Sequence, residues 1–345
     1  MKKFKMLVLT DHSTHTVHNS TYDLLNALRQ HPDCEYIDVV SRGNKKNNFF
    51  FQEFIPKFPF GSRVTADFQF HKDGRSFTQN LHKTHLDNYD VLLLRLPHPI
   101  RSGFMDFLSY LYPGQQIINT PSGIQHTGSK AFLLEVADLC PPMQICKSVE
   151  DILAFKERFP IVLKPLKAYG GKGLIRIDGT KAWLGNEEMP LEVLLQQLQK
   201  KPFEYLGMKF LKNVHQGDKR VVVINGHIIG AALRLPANGS WLCNGAQGGS
   251  SVPTTADENE IKIAKRLSAV LSKLGVVFFG FDTLQDENGV RVLSEVNTLS
   301  IGGLPYLGYE GEAIVESAAE QIWNYVKNNI YGTSVIVNKR THTKY

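Results

Sequence analysis

The sequence predicts an α/β protein, with α+β character in places, built from two or three packed units. Three observations predict it. The chain has 345 residues, more than one typical core organises. Its first third alternates strand-like and helix-like segments around a strand of fully buried type, VLLLR at 91–95. Its last third carries Asn225-Gly226 and Asn288-Gly289, dipeptides that favour tight antiparallel hairpins.

Residues 6–10 form the first expected strand. A loop rich in His, Ser and Thr follows, then a helix capped by Ser20 or Thr21 with Leu24, Leu25 and Leu28 on one face. Strands are expected at 35–40 and 90–95, with 44–60 an insertion or hairpin. A strand at 116–119 ends at Thr120-Pro121, which marks a boundary. Beyond it come a helix near 130–138, a strand at 161–165, a glycine-rich turn, a strand at 173–177 and a helix at 191–200. Strands at 205–211, 219–224 and 227–235 lead into a glycine-rich loop, 236–251. An amphipathic helix (Ile261, Ala264, Leu267, Leu271, Leu274), strands at 276–284 and 290–297 and a helix at about 311–328 complete the chain. The expected division is 1–122, 123–202 and 203–331, with 332–345 a frayed basic tail.

Composition excludes several classes. With 42% hydrophobic and 21% charged residues the chain is neither disordered nor fibrous. A net charge of +6 without any run of five basic residues argues against nucleic acid and fits a surface that attracts small anions. No stretch approaches the ~18 apolar residues of a membrane span, and the apolar run after Lys5 is too short for a signal peptide. Four cysteines without zinc spacing suit a reduced, cytoplasmic setting.

Chemistry concentrates in FFGFDTLQDENGVRVLSEVN. A two-residue turn at Asn288-Gly289 pairs Glu287 with Val290, and Asp282 then falls opposite Glu295, with Asn297 on the same face. An odd-length loop or a bulge would break that register. Facing carboxylates are tolerated when a cation lies between them, and an all-oxygen set suits magnesium or manganese. Gly280 on this face leaves room for a phosphate. A solvent-facing polar hairpin face is an equal alternative from the hairpin alone. In IVLKPLKAYGGKGLIRI, Lys164 lies inside an apolar strand before Gly170, Gly171 and Gly173, whose backbone N–H groups can form an anion nest. Surface lysines on a glycine turn remain the alternative there. Walker, Rossmann and protein-kinase signatures are absent.

Taken together, Lys130, Lys164, the glycine turn, Gly217-Asp218-Lys219-Arg220, Arg234 and Asp282…Glu295-Val296-Asn297 resemble the ATP-grasp superfamily, and most nearly the prokaryotic glutathione synthetases. The likeness runs through YDVLLLR (89–95), IINTP (117–121), ALRLP (232–236), NGAQGG (244–249), FGFD (279–282) and EVN (295–297). It implies a parallel-sheet pre-ATP-grasp domain, a central lid and a C-terminal catalytic domain. Lys130 and Lys164 then contact ATP phosphates, Tyr169 to Gly173 cover them, and the main chain of Lys209, Phe210 and Leu211 takes the adenine edge. Arg220 holds the γ-phosphate, Arg234 the substrate carboxylate, and Asp282, Glu295 and Asn297 two magnesium ions. Asp11, Asn19, Ser20, Arg95, Asn244 and Gly245 are candidate substrate contacts. Cys243 reads as a bystander, since no His-partnered thiol motif surrounds it. The implied reaction joins a carboxylate to an amine on small molecules, with γ-glutamylcysteine and glycine as the default pair. A ligase acting on another amino acid, peptide or protein terminus, and a non-catalytic nucleotide-binding regulator, are the alternatives. Relatives are usually dimers or tetramers. The chain departs from the synthetases at Leu96-Pro97-His98-Pro99, in a loop lacking their arginine, and at Thr298-Leu299-Ser300, where it reads more like D-alanine–D-alanine ligases.

Overall fold

The computed structural model describes residues 2–113, 116–168, 170–237, 240–243, 249–309 and 312–340, with side chains at Leu86 and 330–340 left out. The first sheet holds β1 (Phe4–Thr10), β2 (Cys34–Ser41), β3 (Phe60–Arg63), β4 (His82–Lys83), β5 (Val91–Arg95) and β6 (Gln116–Ile118) in the order β4-β3-β2-β1-β5-β6. β1, β2, β5 and β6 are parallel. Every residue of β5 is buried, which is why its run is apolar on both faces. α1 (Thr21–Gln30) crosses from β1 to β2 and buries Leu24, Leu25 and Leu28. The 44–60 segment is a packed element: Phe50 and Phe51 of α2 (Asn48–Phe51) stack against Phe104 of α3 (Phe104–Leu111).

α4 (Pro121–Thr127) starts where Thr120 caps Gly123 N–H and Pro121 opens the first turn. The second sheet, wholly antiparallel, contains β7 (Met143–Cys146), β8 (Ile161–Pro165), β9 (Ile175–Asp178), β10 (Lys181–Leu184), β11 (Glu187–Pro190) and β12 (Tyr205–Lys209), ordered β11-β10-β9-β8-β12-β7. α5 (Val149–Lys156) and α6 (Leu191–Leu198) cover one face through Ile152, Phe155, Leu191 and Leu194. Two expectations change here. β12, assigned above to the third unit, pairs with β8 and β7 in the second sheet. The helix at 130–138 is a 3-10 helix, Lys130–Leu139, broken at Val136. Short β7, β10 and β11 escaped detection because four-residue strands carry too little periodicity.

The third sheet, also antiparallel, orders β13 (Asp218–Ile224), β14 (His227–Leu235), β15 (Ser250–Thr254), β16 (Phe278–Gln285) and β17 (Arg291–Asn297) as β15-β14-β13-β16-β17. Asn225 and Gly226 both have positive φ, 52° and 79°, and turn β13 into β14 as the dipeptide predicts. α7 (Glu258–Leu271) is closed by an Asp257/Glu260 capping box and buries Ile263, Ala264, Leu267 and Leu271, whereas Ile261 faces solvent.

The first and third units share a core. α8 (Ile314–Arg340) returns to the first sheet, where buried Trp323 stacks on Phe4 at 6.3 Å and donates Nε1–H to the Leu28 carbonyl. α8 also continues through 332–340, where a frayed tail was expected; no proline interrupts that stretch. Asn119 closes the joint. Its Oδ1 accepts from Val277 and Phe278 N–H, and its Nδ2 donates to the Phe278 and Thr298 carbonyls. Among the described residues, no helix is long and apolar enough to cross a membrane.

Candidate active site

The β16/β17 hairpin reaches the expected register by another route. Its loop spans 287–289, one residue longer than a two-residue turn, with Gly289 at φ 79° and Asp286 N–H bonded to the Val290 carbonyl. That odd loop sets Gln285 opposite Arg291, one step out of register. A bulge between Asp282 and Thr283 on one side and Leu293 and Glu295 on the other restores it, so Asp282 pairs with Glu295 and Gly280 with Asn297. The two irregularities cancel, and the three residues share a face. A Cβ at Gly280 would make only ordinary contact with Ile301, at 3.4 Å.

The bulged residue, Ser294, has a task of its own. Lys164 Nζ, fully buried on β8, donates to the Ser294 carbonyl and hydroxyl, each at 3.0 Å. Burial lowers the Lys164 pKa, and the nearby Glu295 charge works in the opposite sense. Lys130 donates through Nζ to the Ala168 carbonyl, which ties it to the glycine turn. In that turn Gly170, Gly171 and Gly173 have φ of 68°, 74° and 71°, a left-handed run that only glycine adopts readily.

On the third sheet, charges alternate across strands. Arg220 grips Asp282 with two bonds of 2.7 Å, Arg234 reaches the same carboxylate at 2.8 Å, and Arg234 also grips Asp218 with two bonds of 2.7 Å. Burial would raise the Asp282 pKa, but the two guanidinium groups reverse this and hold the carboxyl well below its usual range. For Arg234, burial opposes the charge while Asp282 and Asp218 hold it firmly protonated. Asp218 moves upward, through burial and the Asp282 charge.

Between the sheets lies a cleft lined by Lys130, Lys164, Gly171 and Lys172 on one side and Asp282, Ser294 and Glu295 on the other. Val162, Met208, Phe210, Leu211 and Leu284 supply an apolar wall. Cationic side chains beside an apolar wall suit a nucleotide, whose phosphates and base need one each. Lys209 lines the cleft and forms an ion pair with Glu287 at 2.9 Å. Cys243 is buried and its thiol is pushed up to about 11 by burial, which leaves it a poor nucleophile.

The oxygen donors fit a hard divalent cation. Asp282 offers three of its roughly four lone-pair directions to arginines, which leaves room for one more partner. Glu295 faces it, and the half-buried Asn297 has its Nδ2 without a hydrogen-bond partner, so the amide is not committed elsewhere through that atom. Among the described residues no cluster of three His, Cys, Asp or Glu side chains surrounds a metal position; the set is two carboxylates and an amide.

The substrate candidates divide. Asp11 is consumed by Arg42 at 2.6 Å and by Ser13, and burial is outweighed so that its pKa falls. Asn19 is spent on the Thr21 N–H. Ser20 and Arg95 are buried with polar atoms unpartnered. Tyr169, Asn244 and Gly245 lie outside the described residues. Asp218 and Ser294 were not singled out as site residues. Strand parity with Arg220 would have found Asp218, whereas no sequence signal marks the bulge that aims Ser294.

Two antiparallel sheets on either side of one cleft, one carrying a buried lysine and the other a carboxylate–arginine face, define an ATP-grasp ligase. Residues 129–308 match the family model for the prokaryotic glutathione synthetase ATP-grasp domain. The chain belongs to that family. It is 30% identical over 239 residues to a glutathione synthetase of Mesorhizobium japonicum, covering 68% of this chain and 73% of that one. Its fold is similar to that of D-cycloserine synthetase (TM-score 0.60, 12% identity, covering 92% and 99% of the two chains). It is also similar to a RiPP-associated ATP-grasp ligase of Chryseobacterium gregarium (TM-score 0.61, 14% identity, 94% and 97%). The chain is thus an ADP-forming, ATP-dependent ligase related to glutathione synthetase, and it uses a divalent metal and small-molecule substrates.

Proposed function

We propose that the protein joins the carboxylate of a small acid to the amine of a second substrate through an acyl phosphate, with γ-glutamylcysteine and glycine as the default pair. The observation that carries this reading is the Asp218–Arg234–Asp282–Arg220 chain, whose two carboxylates line the same cleft as Lys164. A carboxylate is a poor electrophile, so the γ-phosphoryl group moves from ATP to a carboxylate oxygen and ADP departs. The amine nitrogen then attacks the carbonyl carbon, the carbon–oxygen bond to phosphate breaks, and the nitrogen loses a proton.

Arg220 and Arg234 hold their Nε/Nη2 forks on Asp282 and Asp218, and their charges with the remaining N–H groups offset the two anions brought together in the first step. Lys130 and Lys164 bind the phosphates, and the N–H groups at Gly170, Gly171 and Gly173 close over them with Tyr169. The main chain of Lys209, Phe210 and Leu211 reads the adenine edge. Two magnesium ions, or manganese, held by Asp282, Glu295 and Asn297 would supply charge neutralisation at the phosphates. Asn244 and Gly245 belong to the loop that shields the acceptor from water, since an acyl phosphate hydrolyses readily. In this reading residues 1–122 form the substrate domain, the second sheet the lid and the third the catalytic domain. In this reading the enzyme works in the cytoplasm without nucleic acid or membrane partners, and the homo-oligomeric state usual for its relatives is compatible with it. A second reading, ligation of another amino acid, peptide or protein terminus, is favoured by the uncharged Leu96-Pro97-His98-Pro99 run.

A phosphate-release screen of acid and amine pairs tests this, beginning with γ-glutamylcysteine plus glycine. Phosphate and ADP should appear only when both partners are present with ATP and magnesium. Failure to bind ATP would sink the reading.

A further inference from the structure

The second sheet turns one face to the third unit and the other to a core of its own. Val162 and Met208, paired across β8 and β12, enter the core shared with the third unit. Phe155, Leu163, Ile177 and Leu194 build the separate core on the opposite side. Arg176 of β9 is the register partner of Val162 and of Trp183 on β10. Directly paired residues share a face, so Arg176 and Trp183 lie on the side of the third unit. There the apolar packing of β8 and β12 gives way to a cation and an indole.

The short segment after β14 meets them. Trp241 Nε1–H donates to the Gly185 carbonyl at 2.8 Å, and Ser240 Oγ donates to Asn186 Oδ1 at 3.2 Å. Gly185 and Asn186 join β10 to β11 at the outer edge of the second sheet, and Gly185 takes the turn at φ 61°. Behind these bonds runs a stack of four groups from four places in the chain. The Arg176 guanidinium lies 4.7 Å from the centroid of Trp183 and 4.3 Å from that of Phe210. Trp241 meets Phe210 edge to face, with centroids 5.9 Å apart. The base of Trp241 is anchored: Leu242 and Cys243 are buried, and Cys243 Sγ donates to the Val214 carbonyl at 3.5 Å.

Phe210 and Trp241 line the nucleotide cleft and also the groove beside it, where Arg176, Trp183, Asn186 and Ser240 lie. The two rings are the partition between cleft and groove. Asn186 and Ser240 line the groove and not the cleft, so their bond is made clear of whatever the cleft holds. On this side the cleft opens when the Gly185 turn parts from Trp241. That separation breaks one hydrogen bond of the indole and one edge-to-face contact, a barrier of the size that tunes a rate without forbidding the motion. The outer strands of the second sheet keep their own core while it happens.

We propose that Trp241 is a positioning residue that latches the Gly185-Asn186 turn of the lid to the third unit and thereby sets how fast nucleotide enters and leaves the cleft. This rests on the reading that the cleft holds the nucleotide. The latch is made between protein groups alone, so it slows entry and exit together and leaves the equilibrium affinity nearly untouched.

The test uses the full-length enzyme with magnesium and mant-ADP in a stopped-flow instrument, which reads association directly and dissociation by a chase with excess ADP. Trp241→Phe keeps an aromatic ring against Phe210 and loses the N–H. It should raise both rate constants about 5-fold, with Kd changed by less than about 2-fold. Asn186→Ala, exposed and outside the cleft, should shift both rates in the same direction by about 2-fold, and it carries the test if Trp241→Phe does not fold. Unchanged rates in the folded variants overturn the latch. So does a dissociation rate that rises in step with Kd while association stays constant, because the side chain then acts by touching the nucleotide. A wild type that binds no mant-ADP strikes the nucleotide reading of the cleft and the latch with it, whereas unchanged rates strike the latch alone.

Discussion

Replacing Asp282 with Asn perturbs the most heavily committed group in the site. The carboxylate accepts three charge-assisted bonds, from Arg220 at 2.7 and 2.7 Å and from Arg234 at 2.8 Å. An amide oxygen in the Oδ1 position keeps the Arg220 Nε bond. The amide nitrogen, now at Oδ2, faces two further N–H donors and can accept from neither. Two lost bonds to charged groups, at about 1.5–3 kcal/mol each, give a destabilisation of about 3–6 kcal/mol. For 345 residues the unfolding entropy is about 0.7 kcal/mol/K, so the melting temperature should fall by about 4–8 °C at pH 7. The pH dependence follows from the sign of the shift. The folded pKa of Asp282 lies below its unfolded value of about 3.9, so its contribution is fully present above about pH 4 and fades as the pH drops towards the folded value. Thermal unfolding of both proteins between pH 7 and pH 3 should therefore show a gap that narrows on acidification. Equal melting temperatures at pH 7, or a gap independent of pH, would refute the claim that arginine pairing holds this carboxylate ionised.

Other outcomes follow from the same geometry. Glu295→Ala should keep the wild-type circular dichroism spectrum yet lose at least about 100-fold in kcat, a loss to be read by coupled ADP release; unchanged turnover would remove Glu295 from the metal set. Lys164→Met deletes a buried ammonium that has Ser294 as its hydrogen-bond partner, so it should weaken ATP binding about 30-fold or more with little loss of stability, measured by titration calorimetry. Trp323→Ala empties a fully buried site shared by the first and third units and should cost about 3–5 kcal/mol in urea unfolding.

Much of the site was legible because strand chemistry is local. Period-two alternation puts Asp282 and Gly280 on one face and Glu295 and Asn297 on another strand's matching face, whatever the tertiary context. The lysine inside an apolar strand and the glycines after it likewise mark a left-handed turn in one dimension. The register itself was reached for an incomplete reason. A three-residue loop shifts the strands by one, and the Ser294 bulge shifts them back; neither is written in the Asn-Gly dipeptide alone.

What the amino-acid order determined by itself was the set of local elements and the family of the chain: the apolar strand at 91–95, the hairpin at Asn225-Gly226, the ordered lysine, arginine and acidic motifs. What tertiary structure alone decided concerns partners distant in sequence. Strand β12 lies between β8 and β7 in the second sheet, and α8 returned to the first unit, where Trp323 is buried against Phe4, Leu28 and His31. Asp11 and Asn19 are engaged by neighbours within the chain, while Arg95 is buried with Nε and Nη1 unpartnered. Whether a polar side chain is spent or available depends on what the fold brings within three ångströms of it, and that distance has no counterpart in the sequence.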